Sequence, residues 1–207
     1  MRHNLSDVNA LIRDRRSFAP EQFSSRRVHR DVVEEVLRAG TWAATHGMTQ
    51  PWRFTVFQDA GLLALRSGLP EWYVKHAGSE VQAKKLEKLQ NRLNTCNCVI
   101  GIGMVPDVNG RIAQADEEWA VACAVQNMHL MCTAYGLGAK WTTPKFMVLP
   151  EVKEAFGLPK EGKVMGLMYV GYPNRAWPES HRWPLEFVTR WKDSESEVQR
   201  HERKPTV

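Results

Sequence analysis

The sequence predicts an α+β domain in which a small sheet is flanked by helices. Two continuous apolar segments, residues 98–105 and 163–171, are typical of buried central strands, because a strand covered on both faces shows no polar alternation. Between them, residues 115–135 carry apolar side chains at helical spacing and form the longest helical pattern of the chain. The order of patterns is helix, helix, strand, helices, strand, long helix, strand, helix, strand, which indicates the α+β class.

Two helices are expected before the first strand. Ser6 is the candidate N-cap of the first helix, and Val8, Leu11 and Ile12 recur at the spacing of a core-facing stripe. The second helix is predicted over residues 31–42, with valines and a leucine on one face and arginines kept on the solvent side.

A strand is predicted over residues 53–58, where apolar and polar side chains alternate. The region after it is ambiguous. Residues 61–66 look helical, residues 67–70 contain a glycine and a proline that should interrupt the helix, and residues 79–93 should form an exposed helix. Three ring-bearing side chains fall between the two helical pieces: Trp72, Tyr73 and His76. They form either a mobile segment over a pocket or, as we prefer, a cluster that anchors a connection.

The apolar strand pattern at residues 98–105 contains two glycines, Gly101 and Gly103, which raises the question of a dinucleotide-binding turn. Pro106 stands where the third glycine of G-x-G-x-x-G is required, and no helix opens directly from the strand. A Rossmann fold is therefore not expected.

The long helix should end at Gly136, which is available as its C-cap. An extended segment over residues 137–141 and a short helix over residues 150–156, opened by a proline and ended by Gly157, should follow. Five polar side chains interrupt the apolar surface of the long helix: Glu117, Glu118, Gln126, Asn127 and His129. They either contact a ligand or partner subunit, or are satisfied by internal hydrogen bonds.

Length and composition predict one domain. With 207 residues, of which 43% are hydrophobic, the chain can bury a sizeable core, and we place this domain at residues 1–191 with a polar tail at 192–207. Trp177, Trp183 and Trp191 lie beyond the last predicted strand and lack a local core, so they are expected to pack against another surface.

Charge and cysteine content narrow the class of protein. The 28 basic and 23 acidic residues give a net charge of +5, which suits phosphate-bearing ligands and falls short of a nucleic-acid-binding signature. No segment resembles a signal peptide or a membrane span, so we expect a cytoplasmic protein without membrane or nucleic-acid partners. The four cysteines are expected to be reduced and packed, and the Cys96-Asn97-Cys98 spacing does not fit a zinc site, so no metal is expected.

Candidate binding residues begin at the end of the first predicted helix. Arg15 and Arg16 offer forked donors for a phosphate, and Ser17 adds a hydroxyl in the same turn. Arginines at a helix end also commonly serve as a solvated cap. These two therefore indicate a phosphate site only in combination with the other polar segments of the chain.

Two further segments carry polar groups suited to a ligand. Residues 43–54 form a turn-prone loop in which His46 and Gln50 lie close enough in sequence to flank one edge of a ligand. Trp141, Thr142 and Thr143 follow a predicted strand and can present hydroxyls and backbone N–H groups beside an aromatic face.

Together these segments resemble the compact branch of the nitroreductase family, in which an early R-R-S, a later H-x-x-x-Q-P-W and a W-x-[ST] after the long helix contact FMN. The resemblance extends over about residues 11–188. It implies a nitroreductase-like fold with a small central mixed sheet and a C-terminal extension. It also implies an intertwined homodimer with two FMN sites at its interface, which Arg15–Ser17 and Trp141–Thr143 partly reach across.

One position departs from the family pattern. Relatives in this branch often have arginine after the tryptophan, where this chain has Thr142, so one phosphate donor is missing. Arg182 is a possible substitute, because many family members place a basic residue at the corresponding C-terminal position.

The reaction implied by the resemblance is electron transfer from NADH or NADPH, through FMN, to a small acceptor such as a nitroaromatic or a quinone. Reductant and acceptor would use the same ring face in turn, which implies a ping-pong mechanism. Hydride transfer to a flavin needs orientation more than a side-chain acid or base, so no catalytic side chain is expected. Two other possibilities stay open: a flavin-storing or flavin-sensing protein with negligible turnover, and an unliganded interaction domain that docks through its tryptophan-rich tail.

Overall fold

The computed structural model of the protein describes residues 3–192. The chain divides into two compact units, Met1–Ala176 and Trp177–Val207. Most of the predicted polar tail, residues 193–207, lies outside the described residues, and the proposed domain limit at residue 191 stays a prediction.

The first unit contains six α-helices and four strands among its described residues. The helices are α1 Leu5–Asp14, α2 Arg30–Thr41, α3 Asp59–Ala77, α4 Ala83–Thr95, α5 Gln114–Ala134 and α6 Pro150–Ala155. The strands are β1 Trp52–Phe57, β2 Cys98–Met104, β3 Gly138–Thr142 and β4 Lys163–Gly171. This order confirms the predicted α+β architecture.

The sheet has the order β1-β2-β4-β3, and each pair of neighbouring strands is antiparallel. The expectation of a mixed sheet is therefore wrong for these four strands. β2 and β3 run in the same direction, but β4 lies between them and runs opposite to both. Parallel pairing in the described part of the chain is confined to an isolated bridge between Ser17 and Ala139 at the outer edge of β3.

The core lies between the sheet, α5 and α2. Buried apolar side chains of β2 and β4 pack with those of α5 and with Val33 and Val36 of α2, as the apolar patterns predict. α5 ends as predicted at Gly136, which has φ 68°. The N–H of Leu137 donates to Cys132 O at 2.8 Å and that of Gly136 to Thr133 O at 3.0 Å, which is a Schellman motif.

The two glycines of β2 make room for side chains that cover the sheet. A Cβ on Gly101 would lie 2.7 Å from Phe156 Cε2, and one on Gly103 would lie 2.7 Å from Leu158 Cδ2. They permit the segment after α6 to pack closely on the strand, a structural role that agrees with the absence of a Rossmann turn.

The predicted interruption at residues 67–70 is wrong. α3 continues through Pro70, because Leu62, Leu65 and Leu69 bury one face of the helix and this packing outweighs the hydrogen bond that proline cannot make. Trp72, Tyr73 and His76 consequently lie on α3 rather than in a connection.

The prediction for α1 is wrong in two respects. Asn4, not Ser6, is the N-cap, and its Oδ1 accepts from the Ser6 N–H at 2.9 Å. No residue of α1 is buried, and Val8 and Ile12 are 43% and 54% exposed, because α5 covers their apolar stripe only in part within residues 3–192.

The four cysteines are free, and three of them are buried as expected. Burial raises the pKa of the Cys96 and Cys98 thiols to about 12. Cys123 is exposed on α5, so the expectation that all four are packed is wrong for this residue.

The second unit, described to residue 192, contains a short 3-10 turn, Leu185–Phe187. The ring of Trp183 packs edge-on against Phe187, with centroids 5.4 Å apart. Packing of this segment against another surface stays a prediction. No helix within residues 3–192 combines the length and the apolar character needed to cross a membrane.

Gly101→Ala should destabilise the protein by about 1–3 kcal/mol, because the new methyl group would overlap the Phe156 ring in a packed core. Urea unfolding of the two proteins measures this difference. Gly61→Ala is the matched control, since its Cβ would meet only Phe57 Cδ1 at 3.9 Å within a helix, where alanine is neutral or slightly stabilising. Equal losses in both variants would contradict the packing role of Gly101.

Candidate functional site

The segment Arg15–Ser17 lies at the free edge of β3. Ser17 bridges to Ala139, and the Phe18 N–H donates to Ala139 O at 3.1 Å. The half-buried Arg15 places Nη1 3.4 Å from Ser17 Oγ, so a guanidinium and a hydroxyl stand together just beyond α1.

Arg16 has a different role from its neighbour. Its Nη1 donates to the backbone carbonyls of Arg13 and of Arg15, the latter at 2.9 Å. It therefore caps the end of α1, where carbonyl groups lack partners within the helix. The role of either arginine as a phosphate donor stays a prediction.

The Trp141–Thr143 segment is held by a bulge in β4. The pairing register between β2 and β4 shifts at Ile102 and Gly103, and the indole Nε1 of Trp141 donates to Met165 O at 3.0 Å within that bulge. Gly166 has φ 124°, and a Cβ there would lie 2.3 Å from Thr142 O. The bulge thus fixes the end of β3 to its neighbour.

Thr142 lies near the buried Tyr169 of the neighbouring strand, where its side chain slightly opposes the rise in the pKa of the phenol. Burial of Tyr169 raises the pKa of its phenol well above the ordinary value. Thr143, by contrast, is exposed at the strand end. Because β3 pairs with Ser17 through Ala139, the segments Arg15–Ser17 and Trp141–Thr143 occupy the same edge of the sheet.

His46 and Gln50 belong to a strained loop before β1. Gly47, Met48 and Gln50 have φ values of 57°, 55° and 47°, a left-handed conformation that is uncommon for the two non-glycine residues and often marks functional segments. The Thr45 hydroxyl supports this loop by accepting from the Gln50 N–H at 3.2 Å. His46 Nδ1 lies 2.9 Å from Asp116 Oδ2 in the first turn of α5.

The loop and the arginine segment lie far apart within one chain. His46 contacts Asp116. Arg15, by contrast, lies close enough to His129 for its charge to affect that imidazole, and His129 is thirteen residues further along α5. At 1.5 Å per residue this separation is about 20 Å. The loop also precedes β1, which is the opposite edge strand from β3. The structure thus joins Arg15, Ser17 and Trp141–Thr143 at one edge but does not bring His46 and Gln50 to them.

Among the polar residues of α5, His129 is buried and has a ring nitrogen that could bind a ligand. It is 7% exposed, and its Nδ1 is buried without a hydrogen-bond partner among the described residues. Burial, and secondarily the charge of Arg15, lower the pKa of its imidazole to about 4, so the ring is neutral near pH 7.

The other polar interruptions of α5 are mostly explained by internal contacts. Glu117 accepts from the Asp107 N–H at 2.9 Å, Glu118 pairs with Lys163 at 2.7 Å, and Asn127 donates to Ala39 O at 3.3 Å. Gln126 is exposed. The second carboxylate oxygen of Glu117 is buried without a partner among residues 3–192.

Arg182 lies in the second unit. Its Nη1 donates to Ser180 Oγ and to His181 O, at 2.5 and 2.8 Å. Its role as a phosphate donor stays a prediction.

Comparison with known proteins decides the family. The sequence profile of the nitroreductase family matches residues 12–172. The chain belongs to the nitroreductase family. Bacillus subtilis YfhC, which bears the provisional name NAD(P)H nitroreductase, is 30% identical over 187 residues, covering 88% of this chain and 93% of YfhC. The NADH dehydrogenase of Thermus thermophilus is 28% identical over 208 residues, covering 87% and 97% of the two chains.

Solved structures show the same fold. A nitroreductase-like family protein from Bacillus cereus has a TM-score of 0.79 at 22% identity, covering 94% of this chain and all of that one. A nitroreductase from Bacteroides fragilis, solved with bound FMN, has a TM-score of 0.67 at 20% identity, covering 92% of this chain and all of the other.

Sequence reasoning missed several residues that shape the candidate site. Asp116 anchors His46 from a position seventy residues away, and Gly166 lets the neighbouring strand approach Thr142 closely. The sequence signal available for Asp116 was an acidic residue in the first turn of a helix, which is common to many helices.

The neutral buried state of His129 predicts a loss of stability in acid. Its pKa is lowered in the folded protein, so the unfolded chain binds the proton more readily, and stability falls as the pH drops from about 6.5 towards about 4. Lowering the pH from 7.5 to 5.0 should reduce the free energy of unfolding by about 2 kcal/mol through this residue. Urea unfolding at both pH values should show a smaller pH difference in His129→Gln than in wild type. His29→Gln, at an exposed position, is the control, and an unaltered pH difference in His129→Gln would contradict the assignment.

Proposed function

We propose that the protein is an FMN-dependent oxidoreductase that transfers electrons from NADH or NADPH to a small acceptor, such as a nitroaromatic or a quinone, in the cytoplasm. The observation that carries the proposal is the bridge between Ser17 and Ala139, which puts the arginine segment and Trp141–Thr143 on one sheet edge in a chain of the nitroreductase family. Two similar proteins support the proposal: YfhC, whose name includes NAD(P)H nitroreductase, and the Bacteroides fragilis nitroreductase that was solved with bound FMN.

The residues present fit the phosphate of FMN. Arg15 offers a guanidinium and Ser17 a hydroxyl within 3.4 Å of each other, and both lie beside a helix end whose carbonyls Arg16 already occupies. The unpartnered Nδ1 of His129, next to the charge of Arg15, is a buried polar atom that a bound group or an ordered water would satisfy.

The strand end fits the ring. Trp141 gives an apolar wall fixed by its bond to Met165 O, and the exposed Thr143 leaves polar groups free for a pyrimidine edge. When bound, FMN would supply the two-electron chemistry, and the protein contributes position and exclusion of water rather than an acid or a base.

A second copy of the chain would complete the site. The loop with His46 and Gln50 lies about 20 Å along α5 from Arg15, so one protomer does not bring both to one ligand. Large apolar side chains are exposed on α5 and on the elements that flank it: Leu5, Ile12, Trp42, Met48 and Trp119. Exposed apolar patches of this kind mark interaction surfaces, and a two-fold homodimer is the commonest way to cover them.

Arg15→Gln should weaken FMN binding by roughly ten- to a hundredfold, because it removes a charge-assisted donor to the phosphate. Flavin fluorescence titration of the apoprotein measures the dissociation constant. Arg13→Gln, two residues earlier and exposed in the last turn of α1, should leave it unchanged. An unaltered affinity in Arg15→Gln would remove this residue from the proposed site.

Mixing two defective proteins tests whether the site is shared between protomers. Gln50→Ala should also weaken FMN binding, and in a co-expressed mixture with Arg15→Gln each heterodimer would keep one site with both native residues. About a quarter of all sites should then regain tight FMN binding. A mixture that binds no better than either parent would show that the site lies within one chain or that Gln50 is not part of it.

The proposed reaction predicts that reductant and acceptor bind in turn. NADH or NADPH should bleach the bound flavin in stopped flow without an acceptor, and initial rates at several fixed acceptor concentrations should give parallel double-reciprocal lines. Tight FMN binding without bleaching would indicate a flavin-storing protein instead. Intersecting lines would contradict the ping-pong order.

A further inference from the structure

A cavity of about 540 Å³ lies beside the proposed ring position, on elements that the site described above does not use. Its walls come from the last turns of α3, from one face of α4 and from the turn that follows β3. That turn contains Pro144, Lys145 and Phe146 and begins directly after Thr143.

One part of the cavity wall is aromatic and apolar. Tyr73 and Phe146 meet edge to face with their ring centroids 6.2 Å apart, and Leu89 adds an aliphatic surface. The hydroxyl of Tyr73 accepts from the Gln82 N–H at 3.0 Å, which ties the end of α3 to the start of α4 and fixes the ring. Such a wall suits the face or the edge of a planar ring.

The rest of the wall is cationic. Lys85, Lys88 and Arg92 stand at i, i+3 and i+7 on α4, so they share one helix face, and Lys145 comes from the separate turn after β3. Arg92 is engaged by Glu21 at 3.0 Å. The three lysines form no ion pair with any residue of the described part of the chain, although Glu80 also lines the cavity.

The positive charges on α4 also affect a lysine of the sheet. Burial lowers the pKa of the Lys140 ammonium on β3, and the charges of Arg92 and Lys88 lower it further, against the opposite effect of Glu21. A negatively charged ligand in the cavity would therefore meet four cationic side chains, against the carboxylates of Glu21 and Glu80, next to an aromatic wall.

We propose that this cavity binds a planar aromatic carboxylate and that the electron acceptor of the enzyme is a nitro-substituted member of this class. Its nitro group would take two electrons and two protons, supplied by NADH or NADPH and a proton, and give a nitroso group and water. The ring would pack against Tyr73 and Phe146, and the carboxylate would lie among Lys85, Lys88 and Lys145. The assignment of this ligand as the acceptor rests on the proposed function, whereas its binding does not.

Binding is tested with the full-length protein, supplied with FMN, by calorimetric titration with 2-naphthoate and with its neutral analogue 2-naphthalenemethanol. Wild type should bind the carboxylate more tightly than the alcohol. The double variant Lys88→Gln/Lys145→Gln should weaken carboxylate binding by about tenfold, the sum of two exposed charge contacts, and leave alcohol binding unchanged. Lys84→Gln is the matched control, because Lys84 is exposed on the same helix but does not line the cavity.

Absence of naphthoate binding, an equal effect on the alcohol, or an equal effect of Lys84→Gln would overturn the proposed site. The acceptor assignment is tested separately by kcat/KM for 4-nitrobenzoate and 4-nitrobenzyl alcohol. The double variant should lose about tenfold for the acid alone. If only the KM for NADPH rises, the cavity holds a phosphate of the reductant, and the assignment is wrong. If the flavin is never reduced, the proposed function fails, while the calorimetric result still decides the cavity.

Discussion

The close contact between α2 and α5 is the packing constraint on which the other elements depend. A Cβ on Gly40 would lie 2.9 Å from Met128 Cγ, so the two helices approach to a distance that only glycine allows at this point. With α2 in this position, Val33 and Val36 close the core over the sheet, and α5 lies buried along most of its length. A helix of 21 residues spans about 30 Å, and two of the candidate segments, the loop with His46 and the end of α1 with Arg15, lie at different positions along that axis.

This geometry separates the candidate binding groups along the length of α5. The first turn of α5 anchors the strained loop through Asp116, and the fourth turn after it faces Arg15 through His129. A rigid central helix keeps these groups apart, so a ligand that needs both has to lie where two protomers meet. In that arrangement cofactor binding and assembly would be energetically linked, because a ligand that contacts both chains also stabilises their association.

Most of the fold could be predicted because its segments have clear periodicity. The apolar segments of β2 and β4 fit buried strands, and the long pattern of α5 fits a helix. Gly136 and Gly157 mark helix ends, because glycine readily adopts the positive φ that a helix end requires. Prediction failed where tertiary packing outweighs local preference, as at Pro70, and where an apolar stripe is left largely exposed by residues 3–192, as for Val8 and Ile12. The site was predicted as a set of residues, but the contacts that hold it, such as Asp116 with His46, join positions too distant in sequence to be inferred from spacing.

The uneven burial of the four cysteines has a practical consequence. Cys96, Cys98 and Cys132 are buried, and burial raises the pKa of each of these thiols, which keeps them in the unreactive protonated form. Cys123 alone among the four presents its side chain at the surface of α5. Cys123 lies one turn from the exposed Trp119, on the helix face that a second copy of the chain would cover. The rate at which a thiol-directed fluorophore modifies Cys123 would therefore report whether that face is free or covered, without any mutation.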